Sequence, residues 1–170
     1  MIGGADEGAP PREASSSGSQ FESPPSNSSR ETERLTRFSR QIRLPEIGLL
    51  GQNRLQEAKV TLSGDTGITE WAALYLEAAG IGDISMKNDP RLPFSVAEIQ
   101  WGPSSSKTTS LFAWCGREES GIALALADAR LHARPGQPLL FLRLTGSLLA
   151  TETLRLIGAR KPPRSVHVTY

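Results

Sequence analysis

The residues best placed to do chemistry lie between Lys59 and Gly82. Val60 and Leu62 alternate with Thr61 and Ser63, which is the period of a strand over residues 59–63. The turn Gly64-Asp65-Thr66-Gly67 follows, and then a helix of about four turns runs to Gly80. A strand that feeds a glycine turn and a helix N-terminus presents free N–H groups and the positive end of the helix dipole, and both suit a phosphate. The same stretch carries opposing chemistry. Asp65 in the turn and Glu70 in the helix put negative charge where a triphosphate would sit, and each can stabilise the helix dipole by itself. Other reactive side chains are sparse. Cys115 is the single cysteine, which excludes an internal disulfide and a zinc site of several cysteines from one chain. It ends an apolar run and reads as a small buried hydrophobe. His132 and His167 have no neighbours that make a triad or a metal site, so both read as surface residues.

The elements that must position this turn follow from periodicity. Leu35, Phe38 and Ile42 share a helical face, with Arg34, Arg37, Arg40 and Arg43 between them, and Pro45 ends that helix. A second short helix covers 47–58. After the 64–80 unit, 84–87 reads as a second strand and 91–109 as a long connection broken by Pro93, Pro103 and a serine run. Residues 110–115 read as a third strand, and the alanine- and leucine-rich 121–133 as a helix. Residues 137–142 read as a fourth strand after the Pro135-Gly136 turn, and 146–157 as a last helix. Pro162-Pro163 end it, and 166–170 is a loose tail. This βαβ alternation predicts a parallel sheet with right-handed crossovers.

Composition sets the bounds. The chain has 170 residues and net charge +1, which gives no electrostatic case for nucleic acid. No apolar run approaches the roughly 20 residues that span a bilayer, and residues 1–7 lack the basic and apolar pattern of a secretory signal, so a cytoplasmic protein is expected. Residues 1–31 are rich in Ser, Pro and Gly and read as a disordered tail. The folded domain is expected over 32–158, with a C-terminal tail over 159–170.

Several stretches together resemble the ThiF/MoeB/HesA family of ATP-dependent adenylyltransferases, relatives of ubiquitin-activating enzymes. Arg37-Phe38-Ser39-Arg40-Gln41-Ile42-Arg43-Leu44-Pro45-Glu46-Ile47-Gly48 is similar to that family's opening motif, and Gly51-Gln52-Asn53-Arg54-Leu55 continues it. Residues 72–82 look like the helix after the family's nucleotide loop. Gly146-Ser147-Leu148-Leu149-Ala150-Thr151-Glu152 resembles a helix near the end of its catalytic domain. The match is good over 36–90 and loose over 121–158. It implies a Rossmann-like three-layer α/β fold with a mainly parallel sheet, preceded by N-terminal helices. For intact members it implies ATP and magnesium binding, adenylation of the C-terminal carboxylate of a ubiquitin-like or sulfur-carrier protein, and homodimers or heterodimers.

Placed on the family's pattern, Gly64 and Gly67 take the first and third glycines of the nucleotide loop, while Thr66 and Thr69 replace the second and fourth. A β-branched Thr66 puts a side chain where backbone should approach phosphate, and Thr69 crowds the contact of helix with strand. The ribose-binding acid falls at Asn88, and Lys107 matches a later phosphate-contacting lysine. The phosphate-binding arginine after the second strand is absent. Glu118 and Glu119 are the nearest stand-ins for the magnesium-binding aspartate and read instead as a solvated helix start; no metal site is expected. The segment that clamps the carrier's tail and the matching cysteine are missing. Arg40 differs, because in the family an arginine of the opening motif crosses the dimer interface to the partner's ATP. The leading expectation is a truncated, catalytically impaired partner subunit that dimerises with an intact relative or itself and donates Arg40 in trans. Two alternatives stay open: an active adenylyltransferase using Gly64, Gly67, Asn88 and Lys107, and a non-catalytic module that binds a small ligand.

Overall fold

The computed structural model describes residues 27–89, 91–92, 94–101, 107–116, 119–124, 134 and 136–169. Three helices come first: α1 (Asn27–Arg37), α2 (Ser39–Ile42) and α3 (Gly48–Glu57). Then follow β1 (Lys59–Gly64), α4 (Thr66–Ala79), β2 (Asp83–Asn88), β3 (Phe94–Trp101), β4 (Lys107–Cys115), β5 (Glu119–Ala123), α5 (Leu139–Ile157) and β6 (Val166–Thr169). Helix α1 begins inside the segment assigned to a disordered tail; the rest of that segment, 1–26, lies outside the described residues.

The β1–α4–β2 unit forms as expected. Val60 pairs with Ile84 and Gly64 with Asn88, in parallel register. Beyond it the expectation of a mainly parallel, Rossmann-like sheet fails. The strand order is β2-β1-β3-β4-β5-β6, and every pairing except β1–β2 is antiparallel. The cause is the length of the link after β2. A parallel crossover needs about a dozen residues or more, and only 89–93 separate β2 from β3. The chain therefore passes over the end of β1 and returns along its other side as β3.

Four further expectations change with this topology, the last being the loose tail over 166–170. The connection assigned to 91–109 contains β3, in which Ala97 and Ile99 are buried while Glu98 and Gln100 are exposed, a period-two pattern. The helix assigned to 121–133 begins instead as the end of β5, and 125–133 lie outside the described residues. The strand assigned to 137–142 is the start of α5, with Pro138 at its N-cap (φ −55°) and helical bonding from the Phe141 and Leu142 N–H groups to the Pro138 carbonyl. A short apolar run fits a buried strand or a buried helix equally well. Here it joins the expected 146–157 helix into one nineteen-residue element. The C-terminal stretch adds the edge strand β6.

Helices α4 and α5 pack on each other and on one face of the sheet. Val60, Leu62, Ala97, Ile99, Leu111 and Ile122 from the strands meet Ile68, Ala72, Leu76, Leu149, Ala150 and Ile157 from the helices in one buried cluster. Each fully buried Leu or Ile there is worth about 1.5–3 kcal/mol of transfer free energy, so this layer dominates the core. Gly146 makes the helix contact close: a Cβ there would lie 2.5 Å from the Ile68 carbonyl oxygen and 2.9 Å from the Trp71 Cβ. The opposite face carries a smaller cluster of Phe94, Trp114 and Ala123, flanked by Leu92, Val96 and Phe112. Among the described residues, helix and sheet thus form two layers rather than three.

Candidate functional site

Three of the residues picked from sequence come together at the C-terminal end of β1. The β1–β2 register sets Gly64 opposite Asn88, and Gly67 stands in the first turn of α4. This is where an open α/β sheet would place a ligand. The chain's own groups already occupy it. Asp65 is the N-cap of α4, and its Oδ1 accepts from the Gly67 N–H at 2.8 Å and the Ile68 N–H at 3.4 Å. A carboxylate therefore sits on the N–H groups that would hold a phosphate. The buried Thr69 hydroxyl lies 2.9 Å from Asn88 Oδ1 and 3.0 Å from the Asp65 carbonyl. Asn88 is engaged by Thr69 at the oxygen that would otherwise receive a ribose hydroxyl.

Backbone closes the site further. The Asp89 N–H donates to the Gly64 carbonyl at 3.0 Å, and the Asp65 N–H donates to the Phe94 carbonyl at 3.4 Å. The Ser95 hydroxyl donates to the Asp65 carbonyl at 3.3 Å. Gly64 has φ +119°, which a side chain disfavours, and a Cβ there would collide with the Phe94 carbonyl. Glycine at 64 thus serves the close approach of β3 and not that of a ligand. At Gly67 a Cβ would stand 2.8 Å from Leu142 Cδ1, so α5 covers the turn from the side. Arg143 of α5 adds a guanidinium 4.8 Å above the Trp71 ring. On the crossing segment, Arg91 Nε meets Asp89 Oδ1 at 2.9 Å. That hydrogen bond is the main cause holding the Asp89 carboxyl below the usual carboxylate range, and it raises Arg91 in turn.

Lys107 is not part of this assembly. Gly64 pairs with Ser95, whereas Lys107 pairs with Trp101 at the other end of β3. Ser95 to Trp101 spans about 20 Å at the ordinary strand rise. Glu119 opens β5, and Glu118 lies outside the described residues. Among the described residues, no group of three His, Cys, Asp or Glu side chains converges as a metal site would require. Cys115 is buried. His167 is exposed with its ring edge-on to Trp114 at 5.2 Å, and His132 lies outside the described residues.

Arg40 sits on α2, exposed, with no hydrogen bond or ion pair among the described residues. Its neighbours in α1–α3 have structural work that the sequence did not reveal. Arg34 donates to Gln56 Oε1 at 2.5 Å and Asn53 Oδ1 at 3.2 Å. Phe38 is buried against Gly80. Gln52 Nε2 donates to the Ala79 carbonyl at 3.0 Å, tying down the last turn of α4. Arg54 Nη1 donates to the Gly158 carbonyl at 2.9 Å, at the end of α5. Asp65 as a cap was readable from the sequence, since Asp directly before an apolar-periodic run is an N-cap signal; the sequence reading gives it a stabilising role at the helix dipole and a repulsive one toward phosphate, without the cap itself.

The fold and this turn define an α/β protein built around one strand–turn–helix–strand unit with a phosphate-loop shape. Comparison with known proteins points the same way: the chain has partial homology to adenylyltransferases of the ThiF-related class. It is 33% identical over 70 residues to "Adenylyltransferase and sulfurtransferase MOCS3" of Oryza sativa subsp. japonica, over 41% of this chain and 16% of that protein. It is 50% identical over 52 residues to the protein of the same name from Anopheles gambiae, over 31% of this chain and 12% of that one. It is 44% identical over 54 residues to "Adenylyltransferase and sulfurtransferase uba4" of Emericella nidulans, over 32% of this chain and 11% of that protein. The chain therefore matches well under a fifth of the length of these relatives. No family model and no solved structure matches it. No helix among the described residues is long and apolar enough to cross a membrane.

Proposed function

We propose that this protein is a catalytically impaired or regulatory partner subunit of a ThiF/MoeB-like adenylyltransferase system in the cytoplasm. It dimerises with an intact relative, or with itself, and presents Arg40 in trans to the partner's ATP. The observation that carries this reading is the self-capped turn. The Asp65 carboxylate holds the Gly67 and Ile68 N–H groups, and the Gly64 backbone is sealed by Phe94. ATP with magnesium, and a ubiquitin-like or sulfur-carrier protein, would then be bound by the partner and not by this chain. The residues present here do not fit a triphosphate, because a carboxylate stands at the anion position and like charges repel. Exposed Leu74, Tyr75 and Leu144 on the outer side of α4 and α5 supply apolar surface for the dimer.

One observation favours a second reading, an active adenylyltransferase. Gly64, Gly67 and Asn88 do meet at one end of the sheet, as such an enzyme would need. The experiment that separates the two mixes the protein with an intact relative and follows both complex formation and adenylation rate. The proposal expects a complex, and a rate change that is lost on Arg40→Ala. Absence of a complex, or an unaltered effect with Arg40→Ala, overturns it.

A further inference from the structure

The C-terminal end of α5 carries a second feature that the glycine turn and Arg40 do not explain. A pocket of about 380 Å³ lies between the link from α2 to α3 and the last turns of α5. Its lining is apolar at Leu44, Ile47, Leu154 and Ala159, and charged at Glu46, Arg155, Lys161 and Arg164. Small-molecule sites have this size and this mixture of apolar lining with a few polar groups.

The charges are unequally used. Glu152 Oε2 takes a hydrogen bond from Arg155 Nη1 at 3.0 Å and another from the Arg164 backbone N–H at 3.2 Å. This fixes the chain at 164 while leaving its side chain free. Among the described residues, neither the Arg164 guanidinium nor the Lys161 ammonium has a hydrogen-bond or ion-pair partner; the Lys161 backbone N–H donates to the Arg155 carbonyl at 3.3 Å. Further positive charge stands close by. Arg54 reaches the Gly158 carbonyl, and its pKa is lowered first by burial and then by repulsion from Arg160. Arg160 has φ +52°, a left-handed conformation that side chains rarely adopt, in the turn that brings Lys161 to the pocket. Lys161 and Arg164 outnumber the Glu46 carboxylate among the unpaired lining side chains. With Arg54 and Arg160 close by, the surroundings are positive and attract a negatively charged head group.

We infer that this pocket binds a carboxylate with an apolar body, the head between Lys161 and Arg164 and the body against Leu44, Ile47 and Leu154. Isothermal titration of the full chain with octanoate tests it, with the neutral octanamide as control. Octanoate is expected to bind one to one and octanamide not to bind. Lys161→Ala/Arg164→Ala removes two exposed cations and is expected to keep the melting temperature while weakening octanoate roughly tenfold or more. Ala159→Phe fills the pocket and is expected to abolish binding with both cations in place. No octanoate binding, equal binding of octanamide, or unchanged octanoate affinity in the double variant overturns the inference.

Discussion

The amino-terminal helices and the glycine turn belong to the same stretch of resemblance, yet the chain uses them in opposite ways. In the helices, side chains reach outward and hold other elements: Phe38 backs Gly80, Gln52 binds the end of α4, and Arg54 binds the end of α5. In the turn, side chains fold back on their own backbone: Asp65 caps its own helix and the Thr69 hydroxyl donates to the Asp65 carbonyl. Phe38 of the opening motif and Gln52 and Arg54 of its continuation are accounted for by packing and helix-end bonding, with no ligand needed. Arg40 has no such role among the described residues. In the turn, conversely, surviving glycines serve backbone contact with β3 and α5.

This contrast can be broken by mutation. Phe38→Ala should have the largest effect, about 3–5 kcal/mol of lost stability, as expected for a buried aromatic; chemical denaturation measures it, and a loss below about 1 kcal/mol would show that α2 does not anchor α4. Gln52→Ala should cost about 1–3 kcal/mol, because a buried helix-end carbonyl loses its donor. Asp65→Ala should cost about 1 kcal/mol, the usual worth of an N-cap, and should not create ATP binding, since Phe94 and Leu142 still close the turn. Arg40→Ala should change stability by less than about 0.5 kcal/mol, as at other exposed positions, while removing any effect on a partner enzyme.

The smallest effect is the titration of Asp89. Its carboxyl is held below the ordinary range, first by the side-chain hydrogen bond from Arg91. A depressed folded value means that its contribution is present above the ordinary Asp range and is lost as pH falls through the depressed one. The pair is exposed and screened, so thermal unfolding should show a slight acid-side loss that Arg91→Ala removes.

The unit around the turn was legible in the sequence because local signals dominate it. Alternation marks β1, a cap and periodic apolar residues mark α4, and Gly80 stops it. The sheet beyond was not legible, because its direction depends on how a short link returns and not on any strand's own pattern. The alternation of Ala97 and Ile99 with Glu98 and Gln100 did signal β3, but the prolines on both sides of it drew the reading toward a loop. Residues 137–142 show the other limit, since Leu139, Leu140 and Leu142 satisfy strand and helix alike, and Leu142 packs over Gly67 of α4 while Leu139 and Leu140 stay exposed. At the site, Gly64, Gly67 and Asn88 were picked out by the family resemblance, and the β1–α4–β2 unit brings them together. Lys107 was separated from them by an antiparallel register that no local feature announces.

The central claim is that this chain's own turn does not hold a nucleotide. Isothermal titration of the purified full chain with ATP and magnesium tests it most directly. The account expects no binding heat at millimolar ATP, in the native chain or in Asp65→Ala. Micromolar binding that Asn88→Ala weakens would contradict it and restore the turn as a working site.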